Sequence, residues 1–132
     1  MKKKYSIKER FLFSRVFAKG RSAAQGDVIV HCLRNRPGKR VNPKITPRTR
    51  FGLAVPNKIG GAVKRNRAKR LIREALRSLL PQIADGWLII VTARSSAASP
   101  DCRMQRVRTS LRRALEQLQL LKAAVPADVK NT

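Results

Sequence analysis

Acidic residues are scarce in this chain, with 7 Asp and Glu against 31 Lys and Arg, which leaves a formal charge of +24. Such an imbalance repels itself, so the working state must set the chain against a polyanion, and nucleic acid is the natural counter-charge. Long apolar runs are missing as well. The longest, Trp87 to Val91, falls far short of the roughly 20 residues needed to span a bilayer, which argues against a membrane partner. Lys8, Glu9 and Arg10 stand where a signal peptide led by Lys2 to Lys4 would need its apolar segment, so a cytoplasmic location is expected. Cysteine is nearly absent. Cys32 and Cys102 lie far apart with no CxxC spacing, which disfavours a zinc knuckle and leaves both as reduced packing residues. His31, the single histidine, precedes Cys32, but neighbours on a strand point to opposite faces and make a poor metal pair. The carboxylates Glu9, Asp27, Glu74, Asp85, Asp101, Glu116 and Asp128 are scattered. Protein-catalysed phosphodiester hydrolysis usually needs clustered carboxylates around metal ions or a positioned general base, so no catalytic residues are expected in this chain.

What is present suits one domain of 132 residues, 42% of them hydrophobic, within the ordinary size range of a compact unit. Ser6-Ile7-Lys8-Glu9 has the form of a capping box. Phe11, Phe13, Val16 and Phe17 follow at helical spacings up to Gly20, a residue suited to the C′ position of a helix. Val28 to Leu33 and Phe51 to Val55 are rich in β-branched and apolar residues and predict strands. Between them Arg34 to Arg50 carries Pro37, Gly38, Pro43, Pro47 and seven Lys or Arg residues, the composition of a long basic loop. A helix over Ala62 to Leu80, ended by Pro81, and a strand over Trp87 to Thr92 complete a βαβ pattern. Ser99-Pro100-Asp101, with Ser as N-cap and Pro at N1, predicts the start of a last amphipathic helix carrying Met104, Val107, Leu111, Leu115 and Leu118. The domain is expected to cover 1–125, with a disordered tail over 126–132.

The second helix holds the strongest pattern. At about 100° per residue, Ala68, Leu71, Ile72, Ala75, Leu76 and Leu79 share one apolar arc, while Arg65, Lys69 and Arg73 form an i,i+4 row beside Asn66, Arg70 and Arg77. Charged helix faces are usually solvated ones, but those gain from alternating sign. Here Glu74 is the sole acidic residue, so the row makes better sense facing phosphates, which arginine can bridge in pairs. Ahead of it, Asn57-Lys58-Ile59-Gly60-Gly61 forms a turn whose amides and helix N-terminus offer a further phosphate seat.

Phe51 to Glu74, reading FGLAVPNKIGGAVKRNRAKRLIRE, resembles the signature of the bacterial ribonuclease P protein family, in which a strand, a lysine-containing turn and an Arg-Asn-Arg helix succeed one another. Phe13 to Phe17 followed by Gly20 resembles the family's N-terminal helix, and Trp87 to Arg94 its last strand. The likeness spans roughly residues 7 to 121. It implies a small α+β fold in the order α-β-β-β-α-β-α, with a mixed sheet of about four strands, three helices and a left-handed βαβ crossover, although the general rule favours the right hand. It also implies that Arg65, Asn66, Arg67, Lys69, Arg70 and Arg73 face the catalytic RNA. The 5′ leader of precursor tRNA would lie in a cleft between the first helix and the sheet, at Phe13, Phe17, His31, Lys58 and Arg94. For Phe11 the ordinary core reading stands.

The chain departs from the family pattern at Pro56 and Asn57, where serine and lysine are usual, and at His31, where many relatives carry an aromatic; a stacking contact there would respond to pH. The resemblance further implies a protein subunit of the ribonuclease P ribonucleoprotein that promotes endonucleolytic 5′ maturation of tRNA. The catalytic RNA would hold Mg²⁺ and make the cut, with a monomeric protein present as one copy per RNA. Composition alone would also permit an RNA chaperone or ribosomal protein, and a stand-alone nuclease is the other rival.

Overall fold

The computed structural model describes residues 7, 10–35 and 49–121. The main elements are α1 (Arg10–Lys19), β1 (Arg21–Gln25), β2 (Val28–Arg34), β3 (Arg50–Ala54), α2 (Ala62–Leu79), β4 (Trp87–Ala93) and α3 (Met104–Gln117). The strands form one mixed sheet in the order β1-β2-β4-β3. β2 runs antiparallel to β1 and β4, whereas β3 and β4 are parallel neighbours. The chain passes from β3 to β4 through α2, so this is a βαβ unit, and the small α+β architecture agrees with the sequence expectation.

Strand alternation sets the two layers. On β2, Val28, Val30 and Cys32 are buried in the main core with α2 and α3, while Ile29, His31 and Leu33 point the other way and are only half-buried. β4 lies inside the sheet and is covered on both faces, which explains its unbroken apolar run. Its Ile89 and Val91 enter the main core. Leu88 and Ile90 pack with Ile7 and Val16 beneath α1. The apolar arc of α2 is buried as the wheel predicted, at Ala68, Leu71, Ile72, Ala75, Leu76 and Leu79, and truncating a large member such as Ile72 to Ala would cost about 2–5 kcal/mol.

Some local expectations fail, for physical reasons. β1 is a strand that composition did not reveal: RSAAQ is polar and small, and only Ala23 is buried, because the strand forms a sheet edge. Gly20 is needed for close approach rather than for a left-handed cap, since a Cβ there would collide with the carbonyl oxygens of Cys32 and Val16. Phe11 is not core but 66% exposed; on the α1 wheel Leu12, Phe13 and Val16 share an inward arc, and Phe11 falls outside it.

The last helix begins at Met104, not at Ser99-Pro100. Ser99 Oγ instead accepts the Asp101 amide at 3.3 Å in a turn, and Arg103 is extended. Two anchors hold this segment out of the helix: Cys102 is fully buried, and the Arg67 guanidinium takes the Ser99 and Cys102 carbonyls at 2.9 and 2.7 Å. Ser6, Glu9, most of the basic loop over 34–50 and the tail from Pro126 lie outside the described residues. Among the described residues no helix is long and apolar enough to cross a membrane.

Candidate nucleic-acid interface

Two cationic surfaces emerge, carried by elements on opposite faces of the sheet. The first is the outer side of α2. Asn66, Arg70, Arg73 and Arg77 are exposed and Lys69 is half-buried. Among the described residues none forms an ion pair with any of these cations or with Glu74. An unneutralised row of this kind holds a local positive potential that a phosphate backbone would relieve. Arg65 belongs to the row but is oriented from within, since its Nη1 donates to Asn57 Oδ1 at 2.7 Å. Arg67 does not join the row: it is turned onto the carbonyls of the turn before α3. The turn ahead of α2 is less open to phosphate than its glycines suggested, because the Ile59 and Gly60 amides already donate to Pro56 and Asn57 carbonyls.

The second surface is the sheet face that α1 only partly covers. Register places Ala24, Ile29, Thr92 and Ala54 in one row across the four strands, and Ser22, His31, Ile90 and Gly52 in the next. α1 covers the second row at Ile90 and leaves the first open. Above the open row lies a cleft of about 490 Å³, bounded by Pro56 and Lys58 on one side and by Arg94, Ser95 and Ser96 on the other. Thr92 Oγ1 in its floor is buried and lacks a hydrogen-bond partner among the described residues.

Aromatic groups lie over the next row of the same sheet face, at unequal depth. Phe17 is 47% exposed and meets the His31 ring edge-on, with centroids 4.7 Å apart. Burial holds the His31 imidazole below its ordinary pKa and so favours the neutral ring. Phe13 lies deeper, half-buried over Gly52, where a Cβ would stand 2.6 Å from Phe13 Cζ. The expected leader residues Phe17, His31, Lys58 and Arg94 therefore share one side of the molecule, with Phe13 partly committed to packing.

The order of elements, the α2 ridge and this cleft accompany a family model for ribonuclease P that matches residues 1–119. The chain belongs to the ribonuclease P protein family. Among its relatives, the ribonuclease P protein component of Symbiobacterium thermophilum is 46% identical over 97 residues, covering 74% of this chain and 77% of the relative. That of a Roseiflexus species is 33% identical over 124 residues, covering 94% and 93%. The solved RNase P protein of Staphylococcus aureus superposes with a TM-score of 0.72 at 30% identity, across 96% of this chain and 98% of that one. For the Thermotoga maritima RNase P protein the TM-score is 0.67 at 25% identity, across 82% and 92%. Family membership sets the chain beside an RNA subunit in a tRNA-processing ribonucleoprotein.

Sequence reasoning missed parts of this interface. Ile29 and Thr92 line the cleft because of strand parity, which the alternation around His31 and Ile90 could have signalled. Asp27 carried no local signal: its carboxylate is buried and bridged by Arg106 at 3.0 and 3.2 Å, across a long separation in sequence. Desolvation would raise its pKa, but hydrogen bonds and charge from Arg106, with help from Ser96 and Cys102, outweigh this and hold it low. Among the described residues no three His, Cys, Asp or Glu side chains converge as a metal site. Cys32 and Cys102 are free and buried.

Proposed function

We propose that this chain binds the catalytic RNA of ribonuclease P along the α2 ridge and the 5′ leader of precursor tRNA in the cleft beside α1, and so promotes endonucleolytic 5′ maturation of tRNA. The observation that carries this reading is the pairing of a cationic helix face, whose one acid Glu74 forms no ion pair among the described residues, with a separate cleft holding Lys58 and Arg94 on the sheet face that also carries the exposed Phe17 against His31. Regularly spaced arginines suit a structured phosphate backbone, whereas aromatics beside cations suit an unpaired strand. On this reading Arg65, Asn66, Lys69, Arg70 and Arg73 meet the catalytic RNA. Phe17, His31, Lys58 and Arg94 meet the leader, Phe13 supports them, and Arg67 acts from behind.

The chemistry is assigned to the RNA subunit, which would hold Mg²⁺. On this reading the described carboxylates have other roles: Asp27, for one, is locked to Arg106. One cytoplasmic protein monomer per RNA would serve substrate affinity and screen phosphate repulsion. Reconstitution with the catalytic RNA at low Mg²⁺ tests the reading directly: precursor-tRNA cleavage should rise on addition of the protein, and no gain would refute it. Cleavage by the purified, RNA-free protein would establish the nuclease alternative instead.

A further inference from the structure

The cleft beside α1 does not end at Arg94. Its rim at Gly26 and Ser96 also borders a second depression, of about 560 Å³, which continues onto α3 at Arg106, Thr109 and Arg113. We propose that this depression is a distal subsite for the same single-stranded leader, occupied by nucleotides that extend past the cleft. The inference rests on the leader-binding reading of the cleft and adds to it a second station on another element.

Charge and geometry support this. Among the described residues Asp27 is the one carboxylate bordering the depression; it is buried and already bridged by Arg106. Arg106 also donates to the Ser96 carbonyl at 3.0 Å, which ties the shared rim to α3. Arg106 therefore neutralises and holds, and the open donor is Arg113, exposed and without a partner among the described residues. Thr109 and Arg113 are i,i+4 neighbours on one face of the helix. Thr109 Oγ1 donates to the Gln105 carbonyl at 3.0 Å, so toward the depression it presents acceptor lone pairs, which suit a ribose hydroxyl or a base amino group. Among the described residues no aromatic borders this depression. The second station should thus track backbone phosphate with little base preference, unlike the cleft near Phe17 and His31.

The test uses the reconstituted ribonucleoprotein with mature tRNA and with precursors whose leaders lengthen one nucleotide at a time. Affinity should climb in two stages, the first from the cleft and the second from α3. Arg113→Ala should remove only the second stage, weakening long-leader precursors by about two- to fivefold, the scale of one exposed charge contact. It should also flatten their salt dependence by about 0.7 in log–log slope. Arg113→Glu should weaken long leaders further, and short-leader precursors should bind both variants normally. Equal losses at every leader length, or no loss at any, would overturn the proposal. So would a loss of affinity for the catalytic RNA itself, which would set α3 against that RNA. Failure of the underlying cleft reading shows separately, as equal affinity of the unsubstituted protein for mature tRNA and short-leader precursors.

Discussion

Arg67 sits within the Arg-Asn-Arg segment that resemblance assigns to RNA, yet its guanidinium spans the Ser99 and Cys102 carbonyls at 2.9 and 2.7 Å, with Pro100 at 3.5 Å. Replacing it with Ala removes two good charge-assisted hydrogen bonds; the third is too long to count. Hydrogen bonds from charged groups contribute about 1.5–3 kcal/mol each when enclosed, but these carbonyls are only partly buried and water can replace the donor. A loss of about 2 kcal/mol follows, or a fall in melting temperature of roughly 6–10 °C for a domain of this size. Arg67→Lys should restore little, because an ammonium cannot reproduce the planar fork. The assay is thermal or denaturant unfolding of the free protein in enough salt to screen its self-repulsion, beside a salt titration of catalytic-RNA binding. Arg70→Ala is the contrast, since Arg70 is exposed and has no partner among the described residues: it should leave the unfolding midpoint alone and flatten the salt dependence by about one phosphate contact. If Arg67→Ala instead preserved stability and flattened the slope as Arg70→Ala does, Arg67 would be an RNA contact and the clamp reading would be wrong.

Other outcomes follow from the same contacts. Phe17→Ala should weaken precursor-tRNA binding without affecting mature tRNA, because Phe17 is exposed against His31 on the same sheet face as the cleft and only the precursor carries a leader; equal losses for both would refute the assignment. Gly52→Ala should displace the Phe13 ring, which leaves no room for a Cβ, and lower both stability and precursor affinity; crystallography or ring chemical shifts would show whether the ring moved. Asp27, whose pKa is held below the unfolded value near 3.8, contributes stability that is complete above that value and lost as pH falls through its folded pKa. Acid unfolding monitored below about pH 4 should therefore lose part of its pH dependence in Asp27→Asn, and an unchanged profile would contradict the Asp27–Arg106 bridge.

The legible parts of this protein were those that repeat locally. The α2 arc from Ala68 to Leu79 and the β4 run from Trp87 were readable because periodicity and composition act within one element. β1 was not, because RSAAQ gains its strand form from the edge of β2 rather than from its own side chains. The start of α3 was misplaced because Ser99-Pro100 is a good helix entry in isolation, and its signal is overridden by a buried Cys102 and by an arginine 32 positions earlier.

By itself, the sequence determined that the chain carries a large unbalanced positive charge, that one helix divides into an apolar and a cationic side, and that the Phe51 to Glu74 signature resembles a known family. Charge balance, period and motif are properties of neighbours along the chain, so they survive without coordinates. Only the tertiary structure decided which cations are open. It turned Arg67 inward, tied Arg65 to Asn57 and Arg106 to Asp27, and left Arg70 and Arg113 facing outward. It also placed Ile29, Thr92, Lys58 and Arg94 around one cleft and joined that cleft to α3. Those outcomes depend on strand order and on how helices seat against the sheet, both of which bring together residues far apart in the chain.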